Sequence, residues 1–148
     1  MLVAAVGCGD SEGPRSTSAG PPAGAEVRAS DDEDIQIGAD LKRYLIRNCP
    51  APGTKPSVPK EYRNSRYFSE IRRLNIGTIA FCESIATIEV DDGRVMVRTD
   101  LKENARGRAA GEGFCLLVQG SDVADFTPGH ELQDIKGETI KVCEARTA

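Results

Sequence analysis

Four cysteines set the strongest limit on how this chain can fold. Cys49, Cys82, Cys115 and Cys143 recur at intervals of about thirty residues in a 148-residue chain that has no tryptophan and only 5% aromatic residues. The core must therefore lean on Val, Ile, Leu and Ala, and a core of that kind gains from covalent staples. No two cysteines stand as C-x-x-C, so neither a zinc ribbon nor a thioredoxin-type redox pair has support. Cys8 brings the count to five. An odd count fits one special cysteine plus an even framework of two disulfides, formed outside the reducing cytoplasm. Length favours a single domain.

The segments between the cysteines have readable periodicities. Ser30-Asp31-Asp32-Glu33 reads as a capping box that opens a helix, with Ile37, Leu41, Tyr44, Leu45 and Asn48 on one face and Pro50 as its stop. The acidic run Asp31 to Asp34 lacks the alternating ligands and central glycine of a calcium loop, and complements a helix N-terminus instead. Pro50, Pro52, Pro56 and Pro59 then predict an extended connector. A short helix is expected around 64–74, with Tyr67, Ile71 and Leu74 inward.

The clearest local signal spans 85–101. Ala86, Ile88 and Val90 alternate with polar residues before Asp92-Gly93, and Val95, Val97 and Thr99 alternate after it, which predicts a β-hairpin around the Asp-Gly turn. Asp100 to Glu103 should cap a helix running to about Gln119, with Gly107, Gly111 and Cys115 on one stripe that allows close approach to a sheet. One or two strands follow over 131–145, broken at Lys136-Gly137. There Ile140 and Val142 share a face that excludes Cys143, so either a bulge shifts the register or Cys143 bonds at the sheet edge. The expected architecture is α+β, a small antiparallel sheet with helices mainly on one face.

Four cysteines allow three connectivities. Placement ranks Cys49–Cys82 and Cys115–Cys143 first. The former closes off the proline connector and short helix, which have little core of their own; the latter joins the glycine-lined helix to the last strand.

The N-terminus carries a different kind of signal. Val6-Gly7-Cys8-Gly9 resembles the lipobox of bacterial lipoproteins, with small residues around a cysteine that would be lipid-modified. Ala5 stands where leucine is usual, and the positively charged start is missing. The resemblance implies that residues 1–7 are the remnant of a signal peptide and that Cys8 is the anchor. Residues 9–30, rich in Gly, Ser, Pro and Ala, would form a flexible tether to a domain over 31–148. A diacylglycerol thioether plus an N-acyl chain anchors stably, so the chain would sit on the extracytoplasmic face of a bacterial membrane. No apolar run approaches the ~20 residues of a membrane span.

Function is less legible. Lys60, Arg63, Arg66, Arg72 and Arg73 interleave with Tyr62 and Phe68, a composition suited to anionic lipid or cell-wall polymer. A net charge of −4 gives no general attraction to nucleic acid. The hairpin "DGRV" and the order helix, hairpin, helix, strand over Glu83 to Val142 resemble the BON domains of bacterial envelopes, which would imply association with phospholipid. The wider resemblance is to small exported lipoproteins without an assigned role. Against catalysis, His130 is the sole histidine, in a turn by composition, and Asp134 stands where H-E-x-x-H needs its second ligand. The sequence calls for no cofactor and no metal. The catalytic alternative is a small hydrolase pairing His130 with a nearby carboxylate.

Overall fold

The computed structural model describes residues 20–121 and 130–143. They form a five-stranded sheet in the order β1-β2-β3-β4-β5, built from Glu26–Ala29, Ile85–Asp91, Arg94–Thr99, His130–Gln133 and Thr139–Cys143, with helices α1 (Asp32–Asn48), α2 (Phe68–Cys82) and α3 (Ala105–Gln119). The α+β class and the two disulfides stand as expected. The sheet, however, is mixed: β1 pairs parallel to β2 and β3 parallel to β4, while β2–β3 and β4–β5 are antiparallel. The sheet expected from sequence was antiparallel for two reasons: β1 was not foreseen, and the crossover through α3, which brings β4 back parallel to β3, was not drawn from the strand–helix–strand order. Residues 20–29 belong to the fold rather than to the tether: Val27 pairs with Ile88 and Ala29 with Val90, and Gly20 bridges to Ile85. Four residues of mixed character between Pro21-Pro22 and a helix cap are too short for a period of two to show.

Register shows how the layers lie. Val27, Ile88, Val97, Leu132 and Lys141 are successive partners across the sheet, so they share one face. Gly38 of α1 lies against Val27 and Val90, and Gly111 of α3 against Lys141; both helices therefore cover that same face. The two parallel pairs run in opposite senses, yet both crossovers lie on one side. They must have opposite hands, one of them the uncommon left-handed kind. Leu41, Leu45, Ile88, Val97, Phe114 and Leu132 fill the layer between sheet and helices. Phe81 and Phe114 meet at 5.2 Å between ring centroids, tilted by 54°, and the Tyr44 hydroxyl donates to the Leu117 carbonyl at 2.9 Å, tying α1 to α3.

Glycine sets the α2–α3 spacing. A Cβ at Gly77 would overlap the Ala109 carbonyl oxygen, and one at Gly113 would fall 2.6 Å from the Thr78 amide nitrogen. On the stripe expected from sequence, Gly111 admits β5; Gly113, which lies off that stripe, admits α2.

The caps differ in detail from the sequence reading. Asp31, not Ser30, caps α1, accepting from the Asp34 amide. Asn104, not Asp100, caps α3. The short helix expected over 64–74 is α2, shifted and lengthened to Cys82, with Tyr67 at its N-cap, exposed rather than inward. At β5 a register shift and a bond both occur: the pairing skips Ile140, and Cys143 reaches α3 as a disulfide.

The acidic run has a second role. Asp34 is buried, and its two carboxylate oxygens accept from the Asp92 and Gly93 amides at 2.9 Å each. Those two residues adopt positive φ, the geometry of a type I′ hairpin turn, so α1 grips the hairpin by its tip. Asp34→Ala strands two amide donors and is expected to cost about 2–3 kcal/mol. Denaturant unfolding measures it, and a loss below ~0.5 kcal/mol would show the clamp to be incidental.

Candidate functional site

The proline connector closes back on α2 through three ties. The Cys49–Cys82 disulfide joins its base to the helix end. The Gly53 amide donates to Glu83 Oε2 at 3.0 Å, and the Asn75 side-chain amide donates to the Ser57 carbonyl. A string of reverse turns through Tyr62, Ser65 and Phe68 then delivers the chain into α2. Prolines hold the connector open, and the ties hold it near the helix; the gap left between them is a cleft.

That cleft has a volume of about 530 Å³ and is lined by Pro56, Ser57, Val58, Arg63, Phe68 and Arg72. Its size falls within the range of small-molecule sites, roughly 300–1,000 Å³. Phe68 and Arg72, four residues apart on α2, share one side of the helix, and Arg63 arrives from the turn before it. Of the residues singled out by sequence, the structure gathers these three. The others are turned elsewhere. Lys60 and Tyr62 sit exposed on a 3-10 turn. The Arg66 guanidinium donates to the Tyr67 hydroxyl at 2.9 Å and lies 5.0 Å from that ring's centroid. Arg73 pairs with Glu112 of α3.

Electrostatics single out the cleft. Between Lys55 and Arg73 the sequence holds six lysines and arginines against two glutamates, in a chain of net charge −4. Among the described residues Arg63 and Arg72 belong to no ion pair, unlike Arg73. The wall residues Pro56, Ser57 and Val58, and the tie from Asn75, were missed by sequence reasoning. A proline-spaced segment signals extended backbone but not which helix it will lie against.

His130 is not in a turn. It opens β4, is buried, and pairs across the sheet with Cys143. Its Nδ1 accepts from the Val95 amide at 3.0 Å. Burial first, and the nearby Arg94 charge second, lower its pKa, so the imidazole is neutral at pH 7. Glu131, its neighbour in sequence, points to the opposite face. There it takes Arg94 and the Thr139 hydroxyl, an ion pair and hydrogen bond that tie β3, β4 and β5 rather than a catalytic dyad. Among the described residues no cluster of His, Cys, Asp or Glu is arranged to hold a metal ion, and no helix is long and apolar enough to cross a membrane. Cys8, residues 1–7 and the part of the expected tether up to residue 19 lie outside the described residues.

Comparison with known proteins gives this site no precedent: no family model, curated protein or solved structure matches the chain.

Proposed function

We propose that the chain is a lipid-anchored, extracytoplasmic binding module of the bacterial envelope, which engages an anionic surface through the cleft at the start of α2. The observation that carries this reading is the convergence of Arg63, Arg72 and Phe68 on one open cleft, with no carboxylate paired to either arginine among the described residues. A guanidinium left without a protein partner at a cleft wall is suited to an external anion. The paired cysteines favour an oxidising compartment, and the lipobox-like start supplies a means of attachment there.

Two variants test the reading. Cys8→Ser should move the protein from the membrane fraction to the soluble exported fraction, because the lipid chains are its proposed anchor. With that soluble variant as background, Arg63→Gln with Arg72→Gln should lower retention on anionic vesicles or isolated wall at least tenfold while far-UV circular dichroism stays unchanged. Added salt should weaken the retention that remains. Undiminished membrane association of Cys8→Ser would defeat the anchor, and undiminished retention of the arginine double variant would defeat the cleft.

A further inference from the structure

We infer that the cleft takes one phosphate ester of a small polyol, the chemistry shared by glycerol-phosphate lipid headgroups and by polyol-phosphate wall polymers. This rests on the surface-binding role proposed above and narrows it to a ligand class. The two arginines come from different segments, Arg63 from the turn after the connector and Arg72 from the second turn of α2, and they reach the same cleft. A guanidinium is a planar fork that matches one edge of a carboxylate or one pair of phosphate oxygens. A carboxylate offers its charge in a single plane, which one fork satisfies. The tetrahedral oxygens of a phosphate ester accept donors from separate directions, so two forks on different walls can hold the same group.

The rest of the lining fits the remainder of such a ligand. Phe68, Val58 and Pro56 offer apolar surface beside the arginines, against which a three-carbon polyol can lay its C–H faces. Ser57 supplies a hydroxyl for a polyol oxygen. A cleft of about 530 Å³ has room for a headgroup but not for a folded partner. The walls are set before a ligand arrives: Cys49–Cys82, Gly53 to Glu83 and Asn75 to Ser57 fix the connector against α2, and a preformed site loses less ordering entropy on binding.

Titration of the Cys8→Ser protein with glycerophosphoglycerol, followed by isothermal calorimetry and by amide chemical shifts, tests this. Saturable binding of one equivalent is expected, with shifts confined to residues 56–72. Affinity should fall at least tenfold in Arg72→Gln and in Arg63→Gln, and severalfold in Phe68→Leu. Glucuronate, of similar size and charge but without phosphate, should compete at least tenfold more weakly. Phosphatidylglycerol vesicles and soluble poly(glycerol phosphate), compared at equal phosphate, tell the two sources apart, and binding to either supports the inference. Equal competition by glucuronate would overturn it. So would vesicle retention without saturable binding of the soluble ester, a result that leaves the surface role standing as diffuse attraction. Retention on neither vesicles nor wall would remove the underlying role itself.

Discussion

Gly77→Val is expected to lower the thermal midpoint by roughly 10 °C, or about 3 kcal/mol for a chain of this size. The cause is backbone against backbone. The first added carbon already overlaps the Ala109 carbonyl oxygen, and no rotamer change can move a carbonyl fixed in the middle of α3. The helices must separate, and the Phe81–Phe114 contact and the seat of Tyr44 on Leu117 loosen with them. Gly113→Ala should act in the same direction, since its Cβ meets the Thr78 backbone. Gly24→Ala is the control, for nothing lies within 4 Å of its added carbon, and it should stay within ~0.5 kcal/mol of the parent. Thermal unfolding of the three proteins measures the shift in midpoint, and denaturant unfolding measures the free energies. A Gly77→Val protein as stable as the control would mean that α2 and α3 do not approach at these glycines.

Removing the disulfides should produce losses of similar size but in two distinguishable places. The bridges close loops of 33 and 28 residues, and the chain-entropy model assigns each about 3–4 kcal/mol. Cys49→Ala with Cys82→Ala also frees the base of the connector. Trypsin should then cut after Lys60 or Arg63 under native conditions (Lys55 is shielded by the following Pro56), and anion binding should weaken in the same protein. Cys115→Ala with Cys143→Ala should cost similar global stability but release β5 from α3, leaving the connector resistant to trypsin. Should both variants show the same cleavage pattern, the first bridge would have no special hold on the cleft.

The hairpin was legible because Asp-Gly between alternating strands is a signal contained within one short stretch, Ile85 to Thr99. The disulfide pairing was legible too, since Cys49 and Cys82 flank the connector and short helix, while Cys115 stands on the glycine stripe of a helix expected to cover the strand that carries Cys143. What sequence could not give was anything decided by two distant segments meeting. β1 has only four residues, and its membership in the sheet depends on β2, more than fifty residues away. Asp34 read as one more acidic residue at a helix start; its grip on Asp92 and Gly93 exists only once α1 crosses the hairpin. The cleft was half legible in the same sense. The arginines and Phe68 announced themselves by composition, whereas the wall of Pro56, Ser57 and Val58 was set by ties to Asn75 and Glu83 that no local pattern encodes.

The Cys49–Cys82 bridge also bears on the order in which the molecule assembles. Pairing β1 with β2 requires closing a loop of roughly sixty residues, the kind of non-local contact that slows folding. The bridge lies wholly inside that loop and short-circuits 33 residues of it, cutting the effective loop to about half and its closure cost by roughly 0.6 kcal/mol. A chain oxidised early therefore reaches the β1–β2 pairing as a shorter search than a reduced one. With the bridge between α1 and α2 in place, docking the N-terminal strand is no longer the longest closure in the sheet, since β3 and β4 still have roughly 35 residues to close.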